Sequence, residues 1–165
     1  MALRLTILLR GSRRGLAERE FRRRARAIFE ALELGEAELS VLLTTDAHIR
    51  WLNRTYRKKD RPTDVLAFAM REGELGDMGG AVLGDVVISV ETARRQAEKA
   101  GHPLLAEMTM LLAHGVLHLL GWDHDTDAKD RRMRAETARL VELASALPSK
   151  RAARSRKTQT SRESR

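Results

Sequence analysis

No cysteine occurs in the 165 residues. Disulfides and thiolate metal sites are therefore excluded, and any bound metal has to be held by histidine, carboxylate or carbonyl groups. The same absence suits a reducing compartment. Long apolar runs are missing too. MTMLLAHGVLHLLGW carries two histidines and stops short of the ~20 residues a membrane span needs. MALRLTILLR is too short for a signal-peptide core followed by a small-residue cleavage site. The expected location is the cytoplasm, with no membrane partner. Histidine is also scarce. Of five in the chain, three fall within eleven residues, HGVLHLLGWDH, from His114 to His124.

The length fits one domain, and a hydrophobic fraction of 42% supports an ordinary core. Charge is unevenly spread. Between Ser149 and Arg165, Lys150, Arg151, Arg154, Arg156, Lys157, Arg162 and Arg165 face Glu163 alone, so this short tail holds +6 of the net +8. With almost no apolar residues, it cannot bury enough surface to offset the entropy of ordering. The expected organisation is a folded domain over 1–148 and a disordered basic tail over 149–165. The tail reads either as an electrostatic arm for nucleic acid or as a solubilising extension.

Periodicity predicts nine elements. Strands are expected at about 2–9, at 38–44, in DVLAFAM and in VLGDVVISV. A first helix is predicted from Leu16, Phe21, Ala25, Ile28, Phe29 and Leu32, with Arg22, Arg23, Arg24 and Arg26 on a solvated face. Asp46 is the expected cap of a second helix ending near the basic loop RKKDRPT. ETARRQAEKAG predicts a helix stopping at Gly101. Pro103 opens another running to about Leu120, and a last one spans 127–147. The acidic stretch REGELGDMGG reads as a loop. The order βαβαββααα predicts an α+β domain, with a small mixed sheet of about four strands packed with helices.

Residues four apart share a helix face, with Cβ atoms ~5–6 Å apart, so His114 and His118 can reach one ion. Gly121 can adopt a left-handed turn and return His124 to the same ion. The metal site is thus expected on a long helix and its following turn. Three nitrogens with a fourth position open is the arrangement of catalytic zinc, able to activate water or polarise an oxygen. The spacing is that of HExxHxxGxxH, but Gly115 replaces the glutamate base, which argues against a protease. Glycine there is expected to leave room for substrate beside the first ligand. DHDTDAKDRRMR opens like a calcium loop, yet Ala128 and Arg134 stand where glycine and glutamate are required. Its acids are better placed at the start of the last helix, and Asp123 is a candidate partner of a ligand histidine. His48 and His102 have no such company.

HGVLHLLGWDH resembles the HGxLHLxGYDH signature of the YbeY family of bacterial ribosomal-RNA maturation nucleases. LNRTYRKKDRPTDVLAF resembles its LNxxYRxxDxPTDVLSF segment, and LGDVVIS its LGDIxIS strand, in the same order and spacing. Together they cover roughly residues 3–145. Trp122 replaces the family's tyrosine, Ala67 its serine and Ala69 its proline. The resemblance implies a metal-dependent endoribonuclease with one Zn2+ on His114, His118 and His124, and with Arg57 and His114 as catalytic residues. It implies single-stranded and ribosomal RNA as substrates, and the small ribosomal subunit with its associated proteins as partners. It also implies roles in 16S ribosomal RNA 3′-end maturation and ribosome quality control. The rival readings are a metal hydrolase of peptides or small molecules, and an assembly factor with a structural zinc.

Overall fold

The computed structural model describes residues 4–70 and 82–146. The acidic loop expected at 71–80 and the basic tail lie outside the described residues. The elements follow the expected order: β1 (Arg4–Leu9), α1 (Glu18–Ala31), β2 (Glu38–Thr44), α2 (Asp46–Arg57), β3 (Val65–Ala69), β4 (Val82–Ser89), α3 (Val90–Ala100), α4 (Leu104–Leu119) and α5 (Asp127–Ser145). The four strands form one sheet in the order β1-β2-β4-β3. β1, β2 and β4 run parallel, and β3 pairs antiparallel with β4. The expectation of a small mixed sheet is met.

Strand alternation divides the sheet into two faces. Register aligns Leu5, Leu39 and Gly84, then Ile7, Val41, Val86 and Ala67, on the inner face. Against this face pack α1, through Phe21, Ala25, Ile28 and Phe29, and the largely apolar α4. α5 closes the core through Met133, Leu140 and Ala144. Each of the fully buried Phe, Ile, Leu and Met side chains contributes ~1.5–3 kcal/mol. Gly84 has φ +140°, and a side chain there would collide with the Phe68 carbonyl. Glycine therefore permits the β3–β4 approach.

Two local readings are corrected. The cap of α2 is Thr45, whose hydroxyl accepts from the His48 N–H at 3.3 Å. Asp46 is the first helical residue, and its carboxylate accepts from Ser89 and Thr92, 2.6 Å each, and from Arg95 at 2.8 Å, pinning α2 to α3. The arginines of α1 are not all solvated. Arg22 donates to the Leu5 carbonyl at 3.0 Å and Arg24 to Thr109 at 3.2 Å, bonding the helix to β1 and α4. Only Arg26 of the four is exposed, the others being half-buried. Periodicity marked their face correctly, but long guanidinium stems reach around a helix to buried acceptors.

Candidate metal centre

α4 is buried along most of its length, which fixes the direction of its two histidines. It ends in a Schellman turn. The Trp122 N–H donates to the Leu117 carbonyl at 3.0 Å, and the Gly121 N–H to that of His118 at 3.0 Å. Gly121 has φ +92°, the left-handed conformation the sequence called for. Three residues later the chain brings His124 back. Asp123 secures it by accepting from the His124 backbone N–H at 2.7 Å, a contact to the main chain rather than to a ligand ring. Thr126 then caps α5, accepting from the Lys129 N–H at 3.2 Å.

The three rings converge. Nε2 of His114 and Nε2 of His118 lie 3.1 Å apart, and one nitrogen from each of the three histidines falls within 4.8 Å of the others. Tetrahedral zinc with Zn–N bonds of ~2.0–2.1 Å separates its ligand nitrogens by roughly 3.4 Å. The donor set therefore fits a first-row divalent ion with small ring adjustments. Burial pushes the His114 and His118 imidazoles below the ordinary histidine range, and the neighbouring histidine in each case adds to this. Neutral imidazole is the form that binds metal.

Gly115 corrects a further expectation. A Cβ there would lie 2.8 Å from Val86 and 3.4 Å from Val65. The glycine faces the sheet rather than a substrate. It lets α4 settle close on β3 and β4, and a glutamate at this position has no place in the fold.

Arg57 ends α2 and reaches the same cleft. Its Nη2 donates to the Ala67 carbonyl at 2.7 Å, and the guanidinium carbon sits 5.2 Å from the centre of the Phe68 ring. Its charge is close enough to help lower the His118 pKa. This cleft, of about 600 Å³, is lined by Arg57, Lys59 and Arg61 on one wall and His118, Trp122 and His124 on the other. Asn53 is buried beneath it and holds the basic loop: Nδ2 donates to the Arg61 carbonyl at 2.9 Å, and its own carbonyl accepts from the Lys59 N–H at 3.2 Å. On the other side of the triad, His114 and His124 also border a larger, apolar cleft of about 770 Å³ walled by Met110, Met133 and Val141.

Sequence reasoning missed Asp64 and Asp130, whose negative charges both act on His114. Asp64 accepts from the Val65 N–H at 2.8 Å and from Gln96 at 3.3 Å. A signal was available in the PTDV segment, where an acid directly precedes the strand that α4 crosses. His48 and His102 stay outside the triad. His48 pairs with Thr44 at 2.8 Å and His102 with the buried Glu107 at 2.6 Å.

Comparison with known proteins agrees with the geometry. A family model described as Endoribonuclease YbeY matches residues 9–144. The Endoribonuclease YbeY of Geobacter sulfurreducens is 43% identical over 143 residues, covering 86% of this chain and 95% of that protein. That of Aquifex aeolicus is 46% identical over 126 residues, covering 76% and 82% respectively. A solution structure from Thermotoga maritima superposes with a TM-score of 0.59 at 25% identity, covering 85% of this chain and 88% of that one.

Proposed function

The chain belongs to the endoribonuclease YbeY family and is an RNA-cleaving hydrolase, and from that premise we propose a zinc-dependent, single-strand-specific endoribonuclease acting in 16S ribosomal RNA 3′-end maturation and ribosome quality control. In this reading His114, His118 and His124 hold one zinc ion. When bound, such an ion polarises phosphate or water oxygens and stabilises developing negative charge. The chain's own groups do the rest. Arg57 meets the phosphate, where a guanidinium offers two parallel hydrogen bonds and neutralises charge as the phosphorus is attacked. The Ala67 carbonyl and the Phe68 ring hold that guanidinium in one orientation, which lowers the entropy lost on binding. Lys59 and Arg61 draw the flanking phosphates into the cleft.

The observation that carries this proposal is a cluster of three imidazoles, two of which, His118 and His124, face Arg57 across one basic cleft. No helix among the described residues is long and apolar enough to cross a membrane, and the proposal places the protein in the cytoplasm, on the small ribosomal subunit. The basic tail at 149–165 adds sequence-independent affinity for RNA. The test pairs metal analysis with cleavage of single-stranded RNA by rigorously purified wild type and His118→Ala. The reading expects one ion per wild-type chain, with both metal and cleavage lost in the variant. Equal cleavage by the two proteins overturns it.

A further inference from the structure

The outer face of the sheet carries a groove that the cleavage chemistry does not use. Register places Thr6, Ser40, Asp85 and Phe68 in one row across the strands, with Leu8, Leu42, Val87 and Leu66 in the next. α2 borders this face through His48, Leu52 and Tyr56, leaving a groove of about 480 Å³. Its walls are mostly apolar, and its side-chain polar groups come chiefly from Ser40, His48, Tyr56 and Asp85. A concave apolar site with a few convergent polar groups suits a flat heterocycle.

Aromatic placement says which heterocycle. The chain has two tryptophans and one tyrosine, and all three lie at the surface. Tyr56, 62% exposed, meets Phe68 edge-on at 5.5 Å on the groove wall. Trp51, 47% exposed, stacks on His48 at 6.2 Å with the rings within 9° of parallel. Arg10 lies beside that pair in a depression shared with Thr45. Exposed aromatic faces next to arginine form the usual platform for unpaired bases and their phosphates. Asp85 adds an acceptor for an exocyclic amine, as on cytosine. Although it reaches solvent, its carboxyl is raised above the ordinary range by burial, against a hydrogen bond with Ser40.

The groove and the metal cleft share no lining residue but meet at Arg57, at the edge strand β3. Phe68 contacts Tyr56 at one edge and lies under Arg57, which lines that cleft. We propose that single-stranded RNA passes from the metal cleft by Arg57 into this groove, with one base seated among Phe68, Tyr56 and Asp85 and a later base stacked on Trp51. This rests on the RNA reading of the cleft. Trp51 and Arg57 are six positions apart on α2, about 9 Å along the axis. That distance accommodates two or three stacked nucleotides at ~3.4 Å each.

The test compares single-stranded RNAs of about four and about twelve nucleotides, spanning the range of typical single-strand site sizes. Binding to the metal-loaded full chain is measured by fluorescence anisotropy, and cleavage of the short RNA is followed in parallel. Wild type should bind the long RNA more tightly than the short one. Trp51→Ala and Tyr56→Ala should each remove about tenfold of that length-dependent gain, while Trp51→Phe retains most of it. Unfolding curves matching wild type confirm that these exposed positions leave the fold intact. If both alanine variants keep the whole gain, or if wild type shows none, while the short RNA is still cleaved, the groove proposal alone is wrong. If wild type neither cleaves nor binds the short RNA, the endonuclease reading falls and this inference with it.

Discussion

The two clefts beside the histidine triad share His124 but have opposite character. One is walled by Arg57, Lys59 and Arg61. The other is lined by Met110, Met133 and Val141, with the acids Asp64, Asp130 and Glu142 outnumbering Arg134. A phosphate is drawn to the first and repelled from the acids of the second. The histidine cluster thus stands at a boundary of electrostatic sign, which orients a polyanion without reading its sequence. The chain builds this boundary from two unlike helices. Buried α4 places His114 and His118, while amphipathic α2 delivers Arg57 from the surface.

The strongest way to break the comparison is to remove what both clefts border. His118→Ala should abolish metal uptake and lower RNA cleavage by about a thousandfold or more, because the ion's charge stabilisation is lost outright. Elemental analysis and gel assays check both, and the far-UV circular dichroism spectrum should keep its native shape. Removing the basic side alone is the next step. Arg57→Ala should reduce cleavage by about 10²–10³, the usual consequence of losing one donor aimed at developing charge. Metal content should stay at the wild-type level. Arg57→Lys should recover only part of the rate, since an ammonium cannot form the paired hydrogen bonds. If Arg57→Ala cleaves at the wild-type rate, the basic wall is a surface charge and not part of the reaction.

Much of this contrast was legible in the sequence. His114, His118, Gly121 and His124 are separated by intervals that a helix and a left-handed turn convert directly into one cluster. The nine elements followed from periodicity because most helices are amphipathic and the strands are rich in Val, Ile and Leu. Asp64 and Asp130 were not legible, since their approach to His114 depends on how β3 and α5 pack around α4. Gly115 was visible, but its role was misread. The motif suggested an open space beside the ligand, whereas only the helix–sheet distance reveals Val86 against it. Asp46 was read as the cap of α2, but Thr45 takes that place, while Ser89, Thr92 and Arg95 hold the aspartate. Tertiary partners decide such cases because each local option differs by only ~1 kcal/mol.

Gly115 also provides a milder test of the boundary. Gly115→Ala introduces a methyl within 2.8 Å of Val86 on a fully packed interface. Overpacking of this kind costs about 1–3 kcal/mol, partly offset by alanine's better helix propensity. Chemical denaturation should show a lowered midpoint with an unchanged slope. A variant as stable as wild type would mean that α4 does not need its close seat on the sheet.

The smallest effects should sharpen the difference in sign. Lys59 lines the basic cleft, while Asp130 belongs to the acidic side and pairs with Arg134 at 2.9 Å. Lys59→Ala removes one phosphate contact, so the plot of log affinity against log salt for single-stranded RNA should flatten by about 0.7. An exposed charge of this kind is worth about 1 kcal/mol or less, a loss of a few-fold in affinity. Asp130→Asn should act in the opposite direction. It removes a repulsive charge and frees Arg134, so RNA binding should tighten slightly at low salt and converge on wild type as salt screens the difference. Anisotropy titrations at several salt concentrations measure both changes. If the two substitutions shift affinity in the same direction, phosphate does not distinguish the two sides, and the division of the site into a basic entrance and an acid-guarded apolar flank is wrong.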